Sequence, residues 1–318
     1  MSLLRNIKFA TWASLAISLL VGGFSALSLA AEEKQHPVKP FLWKIEGKDL
    51  KKPSYLFGTI HLSSPVIANL HPAAEKAFNS ADALYTEIPL SPEEQLKMMP
   101  LLIRKDGKTL SESIGDDLAA KLNLELKAIQ PELNSAPFES MKTWAVGAVL
   151  PLLKSQLQGH QALDALLWKR AIETGKQTAG IETGESQVGV FEKFSEDECK
   201  FLLTEIISQF AEERAAKIDS IANLMDAYTS GDEAKVKVEL DKGLTRIAKS
   251  ERKEVGQRFM QLLLTDRNIT MAATIDEKLR SGADKISFFA VGTAHLIGDG
   301  NIGSELTAKG YRVTRIQD

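Results

Sequence analysis

The sequence has little cysteine and no surplus of positive charge, and both features exclude classes of protein. Cys199 is the single cysteine among 318 residues, so the chain can form no internal disulfide. Its neighbours Glu196, Asp197 and Glu198 are acidic, which disfavours a reactive thiolate. The formal net charge is −3, whereas nucleic-acid binding needs a clustered basic face. We therefore expect no nucleic-acid partner and no cysteine nucleophile.

The sequence also lacks the local signatures of several enzyme classes. No H-E-x-x-H, G-x-S-x-G, C-x-x-C or P-loop pattern occurs, which removes the standard zincin, serine-hydrolase, thioredoxin and NTPase interpretations. Residues 298–303 do match G-x-G-x-x-G, but a dinucleotide site needs a complete βαβ unit, and the helix predicted after these glycines is short. We predict a turn at this position instead.

The first thirty residues have the pattern of a secretory signal peptide. Arg5 and Lys8 precede an uncharged run over residues 9–31, and small residues stand before Glu32. We predict cleavage near Ala30 and a periplasmic or secreted protein. The alternative is an uncleaved anchor, because the uncharged run is long enough to span a bilayer. A membrane contact is expected only in that case.

A Gly-Thr-x-His motif occurs twice, each time after an apolar run typical of a buried strand. The first copy ends at His61 and the second at His295. Because side chains alternate along a strand, we expect Thr59 and His61 to share one face, and likewise Thr293 and His295. If the two strands are parallel neighbours, both imidazoles emerge at the carboxyl end of the sheet, where open α/β folds bind ligands. The glycine of each motif would allow another backbone or a ligand to come close.

Two glutamates lie near the carboxyl ends of further predicted strands, Glu87 in the run 83–89 and Glu182 in the run 178–183. With His61 and His295 they would place two imidazoles and two carboxylates at four strand ends. Such a set could bind a divalent metal with an open position, or perform acid–base chemistry without a metal. Mixed histidine and carboxylate sites suit zinc, manganese, iron or cobalt.

Arg267 is the candidate electrostatic partner of this site, either orienting a carboxylate or stabilising an oxyanion. Asp164 stands in a similar position near a helix start and is a weaker candidate. His160 could border the site, whereas His36 and His71 are interpreted as structural.

Short β-runs cluster at both ends of the chain, and helical periodicity dominates its middle. This order predicts an α/β fold with a mixed central sheet flanked by helices. Residues 195–265 contain no β-run and predict a mainly helical insertion or cap, within a single domain over 31–318. The run at 41–46 is predicted to be an edge strand, and Asp266 is predicted to cap the last long helix.

These motifs, in this order, resemble the TraB/GumN/PrgY family, whose eukaryotic relatives include the Tiki metalloproteases. The resembling segments span nearly the whole of the predicted mature chain. They are residues 55–61, 83–87, 175–183, 266–268, 291–298 and 310–313.

The resemblance implies an α/β fold related to the erythromycin-esterase and ChaN-like group. It also implies metal-dependent peptide cleavage, with His61, His295 and Glu87 as ligands of Mn, Co or Zn and with Glu87, Arg267 and Glu182 as catalytic or supporting residues. Glu87 would be either a ligand or a base. The expected partner is a peptide or small-molecule substrate. Two other functions remain open: a non-catalytic binder of a peptide or of a small ligand such as haem, and a metal-independent esterase with histidine as base.

Overall fold

The computed structural model describes residues 35–47, 49–248 and 250–318. The predicted signal peptide lies outside these residues. The strands are β1 Leu42–Glu46, β2 Ser54–Thr59, β3 Ala83–Thr86, β4 Gln177–Gly180, β5 Ser287–Gly292 and β6 Arg312–Ile316. The helices are α1 Pro65–Ala68, α2 Pro72–Ser80, α3 Pro92–Leu102, α4 Leu110–Ile114, α5 Asp116–Ile129, α6 Thr143–Leu157, α7 Leu163–Glu173, α8 Gly184–Phe191, α9 Glu196–Ala216, α10 Ser220–Ser230, α11 Glu233–Ala248, α12 Lys253–Met260, α13 Asp266–Ser281 and α14 Ile302–Ala308.

The six strands form one mixed sheet in the order β4-β3-β5-β2-β1-β6. Strands β4, β3, β5 and β2 run parallel to one another, and β1 is antiparallel to both β2 and β6. The predicted α/β class with a mixed sheet is therefore confirmed. The prediction of an edge strand at 41–46 is wrong, because β6 pairs with the other side of β1 and forms that edge itself.

The chain divides into two compact units. A helical unit comprises Ser91–His160 and Val188–Asp219, and a sheet unit comprises residues 35–90, Gln161–Gln187 and Ser220–Asp318. The segment 195–265 is helical as predicted, but its residues belong partly to one unit and partly to the other. The single domain and the role of this segment as a cap remain predictions.

The helical unit is held together by one apolar cluster. Helices α3 to α6 and α9 supply it, with Leu122, Leu126, Leu153 and Leu203 almost completely buried. These residues recur at helical spacing, so each helix buries one stripe against the others.

The sheet unit has an apolar cluster on each face of the sheet. Strand β5 contributes to both, since Phe288 and Ala290 lie in one cluster while Phe289 and Val291 lie in the other. A parallel strand covered on both faces has no solvent side, which explains why its sequence is continuously apolar. Because both faces of the sheet are buried, the polar side chains of the candidate site lie at the carboxyl ends of β5 and its neighbouring strands.

Within the described residues, no helix is both long and apolar enough to cross a membrane.

Candidate active site

The carboxyl ends of four parallel strands bring the predicted residues together. Thr59 of β2 stands opposite Gly292 of β5 in a parallel pair, so the two Gly-Thr-x-His motifs are direct neighbours and the condition on which the sequence prediction depended is met. Glu87 follows β3, which pairs with β5 on its other side. Glu182 follows β4, and its backbone N–H donates to the carbonyl of Glu87 at 2.7 Å. All these ends lie at the edge where open α/β sheets bind ligands.

The two motifs differ in conformation, so one detail of the prediction is wrong. Strand β5 ends at Gly292, and Thr293–His295 form a turn of 3₁₀ helix. Thr293 and His295 therefore do not alternate as strand residues do. Instead the Thr293 hydroxyl donates to the backbone carbonyl of Thr59 at 2.8 Å and ties the motifs together. A Cβ on Gly58 would lie 2.8 Å from that hydroxyl oxygen, so the close approach requires glycine.

Glu87 is held as a buried carboxylate by three donors. Gly292 N–H donates to Oε1 at 2.7 Å, and Gln187 Nε2 and Arg267 Nη2 donate to Oε2 at 2.9 and 2.7 Å. Burial raises the pKa of Glu87, but the nearby histidines, Arg267 and the Gly292 N–H together bring it well below the ordinary value. The side chain is therefore ionised at any physiological pH.

Arg267 joins the two glutamates. Its Nη2 lies 2.6 Å from Glu182 Oε2, and its Nε donates to the same oxygen at 3.0 Å, in addition to the Glu87 contact. Nη1 donates to the backbone carbonyl of Leu263 at 3.3 Å. Burial raises the pKa of Glu182, and Arg267 opposes that rise. Arg267 thus has most of its donors committed to the protein itself, which fits the orienting role better than that of an oxyanion donor.

The backbone that carries Arg267 is not an ordinary helix start. Helix α12 passes through a π-helical turn at Gln261–Thr265 directly into α13. Thr265 has helical dihedral angles and Asp266 is the first residue of α13, so the prediction that Asp266 caps this helix is wrong. π-Turns frequently occur at functional sites because they shift side chains by about one position relative to a regular helix. Here the turn supplies the Leu263 carbonyl to Arg267.

His295 is buried and oriented by an amide. Its Nδ1 lies 2.7 Å from Asn268 Oδ1, and Asn268 Nδ2 donates to the carbonyl of Gly300 at 2.8 Å. Nε2 faces Glu87 Oε1 at 3.9 Å. Burial lowers the pKa of His295 to about 4, since the opposing charge of Glu87 does not offset it. The imidazole is therefore neutral at neutral pH.

His61 is held differently. Its Nδ1 lies 3.0 Å from Asp164 Oδ2, and the hydroxyl of Thr59 donates to the other oxygen of the same carboxylate. The imidazole side chain is 57% exposed. Desolvation lowers the pKa of His61, but the hydrogen bond and charge of Asp164 outweigh it and raise the pKa to about 9. One histidine of the site is thus buried and neutral, and the other is accessible and cationic.

Comparison with known proteins places the chain in a family. The family model described as "TraB/PrgY/gumN family" matches residues 41–315. The chain belongs to the TraB/PrgY/gumN family. The match includes β1 to β5, all but the last residue of β6, and every predicted site residue.

Curated relatives of this family member carry the Tiki name. The chain is 22% identical to "Metalloprotease TIKI2" of Danio rerio over 88% of its own length and 61% of the relative's. It is 23% identical to "Metalloprotease TIKI1" of Homo sapiens, with coverages of 88% and 62%, and 22% identical to a "Metalloprotease TIKI homolog" of Nematostella vectensis, with coverages of 97% and 76%. The chain therefore spans about three fifths of the length of the first of these relatives. No solved structure matches it.

Three residues of the family member's site were missed or ranked too low from sequence. Asp164 was a weak candidate, yet it holds His61. Asn268 was noted only as part of the resembling segment 266–268, and Gln187 was not noted at all. Asp164 and Asn268 lie in the first turns of helices, where polar residues are common, so only their contacts distinguish them.

The remaining histidines and the glycine-rich segment have structural surroundings. The His71 side chain caps α2 by accepting from the Ala73 N–H at 3.2 Å, as expected of a structural residue. His36 lies edge-on to His71, and His160 belongs to the helical unit and is exposed. The glycine-rich segment is a turn, as predicted, and its Gly300 carbonyl anchors the amide that holds His295.

A complete set of metal ligands and a single pair of ligands must be considered separately at this site. In the described part of the chain, no group of three or more His, Cys, Asp or Glu side chains is arranged to hold a metal ion. The pair formed by His295 Nε2 and Glu87 Oε1 is nevertheless compatible with a shared ion. Two ligand atoms about 2.0–2.2 Å from a tetrahedral metal lie about 3.4 Å apart, and these lie 3.9 Å apart, so binding an ion would draw them together by about 0.5 Å.

Proposed function

We propose that this protein is an exported metal-dependent hydrolase that cleaves peptides. The observation that carries the proposal is the neutral His295, whose Nε2 faces an ionised glutamate while its Nδ1 is held by a second residue. Metal-binding histidines commonly donate their other ring N–H to an acceptor in this way. The printed names of the curated relatives support the same class.

His295, Glu87 and His61 would hold the ion. His295 offers an imidazole nitrogen, and Glu87 Oε1 accepts one hydrogen bond and retains acceptor capacity. His61 is accessible and is held through Nδ1 alone, so its Nε2 would be the third donor once the imidazole has lost its proton and moved toward the other two ligands. This mixture of nitrogen and oxygen donors fits Mn, Co or Zn. A divalent ion bound there would activate a carbonyl as a Lewis acid.

The low pKa of Glu87 favours the ligand over the base among its two expected roles, because a carboxylate so strongly stabilised is a weak proton acceptor. Arg267 and Glu182 would then be supporting residues that fix the Glu87 carboxylate.

A metal-independent esterase is the second candidate, and the His61–Asp164 contact favours it. A histidine oriented by a carboxylate is the arrangement of many acid–base pairs. The pKa of about 9 counts against it, because His61 would be protonated and unable to act as a base at neutral pH. A non-catalytic binder of a peptide or haem is the remaining alternative.

The test is the metal content and hydrolytic activity of the purified full chain, beside His61→Ala and His295→Ala. The proposal expects stoichiometric Mn, Co or Zn, cleavage of members of a peptide library that chelators abolish, and loss of both in the two variants. The control is His36→Ala, an exposed histidine outside the site, which should behave as the wild type.

Three results would redirect the proposal. Ester hydrolysis unaffected by chelators indicates the esterase, and tight ligand binding without turnover indicates the binder. No metal bound under any loading condition would refute the metallohydrolase. Export is tested by a separate measurement. The intact mass of the protein recovered outside the cytoplasm shows whether the chain is cleaved near Ala30.

A further inference from the structure

Asn268 is a buried polar residue whose side-chain nitrogen and oxygen each make one contact. Its amide donates to the Gly300 carbonyl at 2.8 Å, and its oxygen lies 2.7 Å from His295 Nδ1. The first contact fixes the orientation of the amide, because a flipped side chain would place its oxygen against the carbonyl oxygen. The oxygen therefore faces Nδ1, and a neutral His295 must carry its proton there.

This proton position opposes the pull of the neighbouring glutamate. Glu87 Oε1 lies 3.9 Å from Nε2, and this carboxylate accepts from the Arg267 guanidinium and the Gly292 N–H as an acceptor-only group, so it attracts a proton to Nε2. A proton on Nε2 would remove the lone pair through which the imidazole could bind a cation. The acceptor at Nδ1 stabilises the Nδ1–H tautomer, which can therefore compete with the Nε2–H tautomer beside Glu87.

We propose that Asn268 is a positioning residue that holds His295 in the Nδ1–H tautomer and so keeps its Nε2 lone pair directed at Glu87. This inference rests on the proposed function only in assigning that lone pair to a metal. The Nδ1 of His295 contacts the neutral amide of Asn268, whereas the Nδ1 of His61 contacts the carboxylate of Asp164. The two imidazoles of the site are therefore oriented by chemically different partners.

The positions of Arg267 and Asn268 in the sequence explain how one segment orients both Glu87 and His295. They are consecutive residues in the first turn of α13, directly after the π-helical turn. Successive helical side chains diverge by about 100°. One therefore reaches the two glutamates while the next reaches His295.

The test is the tautomer of His295 in the metal-free full chain, measured by ¹⁵N NMR with labelled histidine. The chain has five histidines, and the His295 signals are those lost in His295→Gln. We expect wild-type Nδ1 to have the shift of a protonated nitrogen and Nε2 that of an unprotonated one. The reverse assignment in the wild type would overturn the proposal without any Asn268 variant.

Two Asn268 variants separate the acceptor from the shape of the side chain. Asn268→Leu removes the acceptor, so the proton should move wholly or partly to Nε2. Asn268→Asp retains an acceptor oxygen for Nδ1, and in its protonated form its hydroxyl can donate to the Gly300 carbonyl in place of the amide, so it should keep the Nδ1–H tautomer. An unchanged tautomer in a folded Asn268→Leu protein would refute the proposal.

Metal titration provides the second measurement. Loss of such an outer contact typically weakens metal binding about 10- to 100-fold, and we expect this for Asn268→Leu but not for Asn268→Asp. The matched control is Asn123→Leu in the helical unit, which removes a similarly bonded amide and should leave both measurements unchanged. If the wild type binds no metal, the proposed function fails while the tautomer still tests the role of Asn268.

Discussion

Replacing Arg267 with methionine should destabilise the protein in a manner that depends strongly on pH. The substitution keeps a long side chain but removes the cation from between two buried carboxylates, Glu87 and Glu182. Glu87 retains the Gly292 and Gln187 donors. Glu182 loses its Arg267 contacts, and burial already raises its pKa in the wild type. We therefore expect Glu182 to take up a proton in the folded variant.

The cost of that proton sets the magnitude. Adding a proton at pH 7 to a carboxyl group with an ordinary pKa near 4.3 costs about 3.7 kcal/mol, and at pH 5 it costs about 1 kcal/mol. Leaving the Glu182 charge buried and without its Arg267 partner would cost about 3 to 5 kcal/mol, so protonation becomes the cheaper state as the pH falls. The free energy of unfolding should therefore decrease by about 3 to 4 kcal/mol at pH 7 and by about 1 kcal/mol at pH 5.

The sign follows from the direction of the pKa change. In the variant the folded-state pKa of Glu182 lies above its unfolded value, so the folded protein binds more protons, and stability is lost as the pH rises from about 4. In the wild type the pKa of Glu87 is depressed, so its contribution is already complete above the ordinary value and changes little between pH 5 and 7.

Urea denaturation at both pH values, followed by circular dichroism, measures the effect. The control is Arg312→Met, which removes a surface contact to Glu46 at 3.1 Å and should have no measurable effect at either pH. A loss that is equal at pH 5 and pH 7, or no larger than that of the control, would refute the account of Arg267 as the cation that keeps two carboxylates ionised.

Two further predictions concern the geometry and the charge of the site. Gly292→Ala would place a Cβ 3.0 Å from Glu87 Oε1, so we expect metal binding and hydrolysis to fall at least tenfold. The control is Gly189→Ala, at a helix position with open space around it. This variant should keep its activity and slightly raise the melting temperature. Asp164→Asn removes the charge that raises the pKa of His61, so an NMR titration should show that pKa falling from about 9 toward 6.5. Because the folded-state pKa is raised, the wild-type stabilisation from this pair is complete below pH 6.5 and is lost as the pH passes 9. An unchanged titration would contradict the assignment of Asp164 as the cause.

The sequence by itself determined which strand ends carry the site. The apolar runs before each Gly-Thr-x-His motif and before Glu87 are long enough to predict buried strands, and parallel strands end at one edge. Local pattern therefore sufficed to bring His61, His295, Glu87 and Glu182 into one hypothesis, and the resemblance added the family.

Only the tertiary structure decided the hydrogen-bond partners and the charge states of those residues. Asp164 reaches His61 across 103 positions of sequence, and Gln187 reaches Glu87 across 100, so no local pattern encodes either contact. Desolvation lowers the pKa of both imidazoles, and only His61 has the carboxylate of Asp164 at its Nδ1 to raise it, so His295 is neutral and His61 cationic although both end the same motif. The motif specifies where each imidazole stands, whereas its tautomer and charge depend on neighbours that folding brings from elsewhere in the chain.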